Sequence, residues 1–227
     1  MAVIDDLETR TRYHLRDTGT DPRWPSAEIK VWLADGQDEI CRRAYVLEDF
    51  ATVSICKLTM VATQATYDLS NKILVIEEAT LYDATGVFDS FVEVVDKHEV
   101  TYQRPTWITD TGKPIKMIVY SNAKVIVTPI PTADEAGYYI MMTVKRLPLH
   151  NLTDSYPTPE ISSRYSDDMV NWACHKAYLK DDVDTQNLVQ SGRFLGMFEA
   201  SIGPRPNATI ERVVKSQSHD MHIQVRR

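Results

Sequence analysis

Cys174 and His175 set a thiol beside an imidazole, two residues after Trp172. A nucleophile next to a base, or two metal ligands, could do chemistry. Neighbours on a helix point about 100° apart, so the two cannot easily ligate one metal. The pair reads as a core cysteine and a surface histidine. The run Asp181-Asp182-Val183-Asp184 offers oxygen donors to a hard cation. It lacks the D-x-D-x-D-G-x5-E spacing of a calcium loop and reads as a solvated interhelical turn. Thr111-Gly112-Lys113-Pro114 has the Gly-Lys step of a phosphate loop. The upstream glycine is missing and Pro114 blocks a following helix, so a turn between strands is expected. His219 and His222 have no acidic or cysteine partner at helpful spacing, and a partner-binding or free tail is expected there.

Two constellations span more of the chain. Glu77, Glu78, Asp83 and Asp89 admit a hydrolase reading, since glycoside chemistry needs two carboxyl groups at a fixed separation across a cleft. A solvated strand face explains them more simply. Tyr67, Tyr82, Tyr102, Trp107, Tyr138 and Tyr139 admit an aromatic platform for sugar rings, carried by a β-sandwich on a helical stalk. That is the alternative function: a binding module for carbohydrate or another protein. Core or strand-edge packing is the commoner fate of such residues. No GxSxG elbow, GxGxxG loop or Ser/His/Asp order occurs. The expectation is a protein that is not an enzyme, with no catalytic, metal or cofactor residues.

The composition bounds the partners. The formal net charge of the 227 residues is -7, so an overall basic footprint for gripping nucleic acid is missing. The basic doublets Arg42-Arg43 and Arg226-Arg227 read as solvated surface. Three cysteines without a CxxC pair suggest reduced, mostly buried thiols. The opening MAVIDDLETR has acids where a signal peptide would have basic and apolar regions, and no apolar run is long enough for a bilayer. Synthesis in a reducing cytoplasm, with no membrane partner, is expected. Hydrophobic residues make up 43%, enough for a sizeable core.

These residues must be positioned by three sections of different texture. In the first, Ile4, Leu7 and Leu15 suggest a short helix, broken by Gly19, Pro22 and Pro25. Ser26 is the expected cap of a second helix. Ile29, Trp32/Leu33, Gly36, Ile40, Ala44 and Leu47 form its apolar stripe, and Glu28, Lys30, Asp35, Asp38, Glu39 and Arg42 its polar face. The middle section changes period. Strands are expected around residues 55–60, at 72–76, at 91–95, at 115–120 and 124–128 flanking Ser121-Asn122-Ala123, and at 138–145. In the last section Thr158 and Pro159 have the cap-then-proline order of a helix start. Tyr165, Met169, Trp172/Ala173 and Ala177 follow at helical spacing. Leu188, Ser191, Leu195, Phe198 and Ile202 form a second helix, stopped by Gly203-Pro204.

The predicted fold class is α+β: a helical bundle built from N- and C-terminal helices, with an inserted antiparallel β-sheet or sandwich domain. The expected divisions are 1–50 for the N-terminal helices, 51–150 for the β insertion, 151–204 for the C-terminal helix pair and 205–227 for a tail.

Four passages then carry a resemblance: WPSAEIKVWLADGQDEICRRA, TYDLSNKILVIEEATL, IVYSNAKVIVTPIPTADEAGYYIMMTVKRLP and PTPEISSRYSDDMVNWACHKAYLKDDVDTQNLVQSGRFLGMFEASI. Their order and spacing over residues 24 to 203 resemble the head-to-tail adaptor (connector) proteins of tailed bacteriophages. That resemblance implies a homo-oligomeric ring, usually of twelve copies, at the head–tail junction of the virion. The ring would dock under the portal protein and meet downstream tail or nozzle proteins, and DNA would pass through its channel without sequence-specific binding. It also implies that the C-terminal segment reaches into the portal. Here the candidate portal-binding residues are Arg212, Val213, Val214, Lys215, Met221, Ile223, Val225, Arg226 and Arg227.

Overall fold

A computed structural model describes residues 3–121, 124–180 and 186–205. In chain order the elements begin with α1 (Ile4–Leu15), α2 (Ser26–Ala44), β1 (Glu48–Asp49), α3 (Val53–Cys56), β2 (Lys57–Thr59) and β3 (Thr66–Asp68). There follow β4 (Ile73–Tyr82), β5 (Phe88–Phe91), β6 (Glu93–Val95), α4 (Lys97–Gln103), β7 (Lys116–Ser121), β8 (Lys124–Thr128) and β9 (Tyr139–Arg146). The chain closes with α5 (Ser166–Leu179) and α6 (Leu188–Ile202). The class is α+β, as the change of period implied. Two compact units form: one from Met1–Leu47 and Leu147–Arg205, the other from Glu48–Arg146.

In the helical unit, the stripe of α2 buries Ile29, Leu33, Gly36, Ile40 and Cys41 against Met169, Trp172 and Ala173 of α5. α1 adds Ile4, Leu7 and Leu15, and α6 adds Phe194 and Phe198. Gly36 matters here for its missing side chain. A Cβ at that position would lie 3.2 Å from Trp172 Cδ1 and 3.4 Å from the Met169 Cα, so glycine sets how closely α2 approaches α5.

Two expected helix starts differ. Ser26 does not cap α2; its hydroxyl donates to Glu8 and accepts from Arg12 Nη2 at 3.1 Å, tying α1 to α2. Thr158 and Pro159 lie in a loop, and a 3-10 turn at Ser163–Tyr165 leads into α5 instead. The reason is tertiary: the Glu160 N–H donates to the buried Gln37 Oε1 at 2.8 Å, and the Glu160 carboxylate accepts from the His150 N–H at 3.1 Å.

In the other unit, one sheet has the order β1-β9-β4-β5, with β2 also paired to β9. The second has the order β3-β8-β7-β6. β9 alternates strictly, burying Ile140, Met142 and Val144 and turning Tyr139, Met141 and Thr143 to the other face. β7 and β8 form the expected antiparallel hairpin, with Met117 opposite Val127 and Ile118 opposite Ile126. Asn122 and Ala123 of its loop lie outside the described residues.

Three details depart from the expected strands. The strand foreseen at 91–95 is two strands, because the Val92 N–H reaches Ala79 while Glu93 onwards joins the other sheet. That junction makes β6–β7 parallel, in a unit otherwise expected to be antiparallel. The region 55–60 opens with a helical turn: Asp49 Oδ1 accepts from the Ala51 and Thr52 N–H groups, both at 3.0 Å, and Thr52 O then accepts from Ile55 and Cys56. α4 was not foreseen. Asp96 caps it by accepting from the His98 N–H at 2.7 Å, and its Val100, with Trp107 from the turn that follows, covers Ile118.

Candidate functional site

The first sheet carries a row of aromatic rings across its strands. Register alone places them on one face: Tyr139 of β9 pairs with Tyr82 of β4, and Tyr82 pairs with Phe88 of β5. The Tyr82 and Tyr139 rings stack at 5.3 Å, Tyr82 meets Phe88 edge-on at 6.3 Å, and Phe88 meets Phe91 at 5.3 Å. Such ring pairs add about 0.5–1.5 kcal/mol beyond area burial. Phe88 and Phe91 are three apart and would face opposite ways on a regular strand. A register shift at Leu81/Tyr82 adds a residue to β5, so Phe91 pairs with Thr80 and joins the same face. The Lys57 ammonium of β2 sits 3.9 Å from the Tyr139 centroid and ends the row as a cation–π contact. At the β5 end the row is open, with Phe88 and Phe91 exposed by 52% and 73%.

The β4–β5 turn fixes that end. Asp83 Oδ1 accepts from Thr85 N at 2.8 Å, Thr85 Oγ1 at 2.7 Å and Val87 N at 2.9 Å. Gly86 takes φ +92°, a left-handed value that favours glycine. The Thr85 hydroxyl first, then the backbone N–H groups, hold the Asp83 carboxyl below its ordinary range. Asp89, on the bulged strand, pairs with Lys113 at 2.8 Å and is lowered chiefly by that lysine.

A second cluster lies in the helical unit. Arg43, expected on solvated surface, is buried together with Glu39. Its guanidinium also reaches Glu199 at 3.3 Å, donates to the Gly203 carbonyl at 3.0 Å, and lies 5.1 Å from the Phe198 ring. Arg43 thus satisfies a carbonyl at the C-terminus of α6, where a cation is favoured.

The sequence matches the family described as SU10 adaptor protein over residues 4–218. The chain belongs to that family. Its role is accordingly that of a structural adaptor in a phage particle, as the order of segments suggested. No curated protein matches the chain.

In this adaptor, the residues singled out for chemistry disperse. Cys174 is fully buried, and burial pushes its thiol up to about 12, which suits packing better than nucleophilic attack. His175, expected on the surface, is half-buried. Its Nδ1 lies 2.9 Å from the Ser191 hydroxyl, burial lowers its pKa, and Ser191 itself is buried and donates to the His175 carbonyl at 3.1 Å. This pair locks α5 to α6. Gly112 donates to the Ile130 carbonyl at 2.8 Å, so 111–114 is the turn foreseen. Glu77 pairs with Lys145 at 3.4 Å, while Asp83 and Asp89 serve the β4–β5 edge. No group of three metal-binding side chains occurs among the described residues, and no described helix is long and apolar enough to cross a membrane.

Of the six expected platform residues, only Tyr82 and Tyr139 meet in the row. Tyr67 is buried, with its hydroxyl donating to Gln64 O at 2.9 Å. Trp107 is buried and donates from Nε1 to Thr101 Oγ1 at 3.1 Å. Tyr102 stands almost fully exposed on α4. Sequence reasoning missed Lys57, Phe88 and Phe91. The signal available was the pair of phenylalanines in Phe88-Asp89-Ser90-Phe91 beside a Thr-Gly turn. Asp181, Asp182, Val183, Asp184, His219, His222 and the tail residues Arg212, Val213, Val214, Lys215, Met221, Ile223, Val225, Arg226 and Arg227 lie outside the described residues.

Proposed function

We propose that twelve copies of this chain form a ring under the portal protein of a tailed phage, joining portal to downstream tail or nozzle proteins and lining the channel through which DNA leaves. The observation that carries this reading is the family match over residues 4–218. The helical unit assembled from both ends of the chain supports it. In this reading 1–50 and 151–204 supply the bundle, 51–150 the inserted β domain, and 205–227 the portal-docking segment. Alternating apolar residues after the helix stop at Gly203, with Arg212, Lys215, Arg226 and Arg227, suit that segment to an extended docking role. The contacts between copies are heterologous and close by rotation.

The test mixes the protein with the portal protein encoded by its own source genome and images the mixture by electron microscopy. A second ring stacked on the portal gives the copy number directly; bare portals overturn the reading. Deleting residues 206–227 is expected to abolish portal docking while leaving the helical circular dichroism intact. Unimpaired docking removes the tail from the proposal.

A further inference from the structure

A heterologous ring contact requires two different patches on opposite sides of one subunit. The first sheet has such a pair. Its strand order ends in β5 on one side and in β1 with β2 on the other, and among the described residues neither edge has a further strand. Both edges carry large apolar side chains in solvent: Phe88 and Phe91 on one, Phe50 and Val53 (66% and 63% exposed) on the other. Open apolar edges are templates for pairing with another chain, and proteins normally blunt them with charge, proline or cover. Here Phe88 and Phe91 stand on the edge strand itself, and Phe50 and Val53 lie in the connection from β1 to β2 along the other edge. The strands are also of similar length, with four residues in β5 and three in β2.

The charges are complementary. Asp89 is already paired with Lys113, which leaves the Asp83 carboxylate as the negative charge at the β5 end, and Lys57 stands exposed at the β2 end. The aromatic row shows what fits against an open ring on this face, since its closed end is a lysine ammonium over a tyrosine. Its open end presents Phe88 and Phe91 with no cation over them among the described residues.

Building on the ring reading above, we infer that neighbouring copies join edge to edge through this sheet. β5 of one copy lies beside β2 of the next, and the second copy's Phe50, Val53 and Lys57 complete the aromatic row at Phe88 and Phe91. The sheet then continues from subunit to subunit by strand addition, and the ring closes without a free β5 edge.

The experiment uses the full-length chain with its portal protein. Phe91→Asp puts a charge on an exposed side chain and removes one ring contact, with Phe88, so the chain stays folded and melts only a few degrees below wild type. Its half-assembly concentration, read by sedimentation velocity, rises about tenfold or more, the scale of losing one aromatic anchor. Independently, copies carrying Phe91→Cys are mixed with copies carrying Val53→Cys and oxidised. A disulfide forms in the mixture and in neither variant alone, because the contact is heterologous. Wild-type assembly by Phe91→Asp, or assembled rings that yield no mixed disulfide, overturns the inference and leaves the ring standing. Portals left bare by the wild-type chain overturn the ring and this inference together.

Discussion

Arg43 and Glu39 form an ion pair at 2.9 Å with both side chains only 4% exposed, one turn apart on α2. Breaking a buried pair from one side strands the other charge, which costs about 3–5 kcal/mol. Arg43→Met keeps the contact with Phe198 and Trp172 but leaves Glu39 only the longer approaches of Arg42 and Arg205, each at 3.8 Å, and takes this donor from the Gly203 carbonyl. It is expected to destabilise the helical unit by the lower end of that range, about 3 kcal/mol, in urea denaturation. Adding Glu39→Leu should recover much of the loss, since an apolar pair of similar volume often replaces a buried ion pair well. A double variant no more stable than Arg43→Met would show that the pair itself is not the source.

Gly36 yields a second prediction. Alanine in a helix interior is favoured over glycine by about 1 kcal/mol. Here a Cβ would also press on Trp172 and on the Met169 backbone at 3.2–3.4 Å. The two effects nearly cancel for Gly36→Ala, which should melt close to wild type. Gly36→Leu has no room at the α2–α5 contact and should lower stability by about 1–3 kcal/mol, the range for overpacking. Thermal melts of the two variants check both signs.

These two positions show what was legible. The spacing Ile29, Leu33, Gly36, Ile40 could be read because one helical face is buried throughout, and period survives where burial is uniform. The same spacing gave no hint that Glu39 and Arg43 go inside, because their burial depends on Glu199 and Gly203, more than 150 residues away. Thr158-Pro159 has the right local chemistry for a helix start, yet Gln37 takes the nearby Glu160 N–H and the helix begins later. Phe88 and Phe91 share a face only through a bulge, which breaks the period of two that a strand reading relies on. Local pattern thus disclosed most of the elements, though not α4 or the division of 91–95 between two sheets, while long-range partners decided the sites.

Asp49 makes stability depend on pH. Burial opposes its charge, but hydrogen bonds from Thr52, Ala51 and Arg146 outweigh this and hold the folded carboxyl below the ordinary carboxylate range. A group depressed on folding stabilises the protein above its unfolded value and loses that contribution as pH falls through the folded one. The β unit should therefore keep this contribution above about pH 4 and lose it on further acidification. Asp49→Asn should be less stable than wild type at pH 7, with the gap narrowing below pH 4. Denaturant titrations of both proteins across pH 2–7 measure it; a gap that stays constant rules out the carboxylate.

The last prediction concerns DNA. Each phosphate neutralised by a Lys or Arg releases counterions and adds affinity, so a channel that lets DNA slide must hold few such contacts. A net charge of -7 meets that need at long range. Cations that could reach outward are engaged locally: Lys30 with Asp154 at 2.5 Å, Lys113 with Asp89 at 2.8 Å, and Lys180 with Glu28 at 2.8 Å. The isolated protein should bind duplex DNA weakly at about 150 mM salt, where screening acts over about 8 Å. Fluorescence anisotropy with a labelled duplex should show a dissociation constant no tighter than about 10⁻⁴ M, the weak end of non-specific binding. Lys30 keeps Asp5 at 3.0 Å whatever stands at 154. Replacing Glu28 and Asp89 by neutral isosteres frees Lys180 and Lys113, and should tighten binding and steepen its salt dependence by up to about two phosphate contacts. Tight binding by the unaltered chain would count against the proposed role as the lining of a channel through which DNA slides.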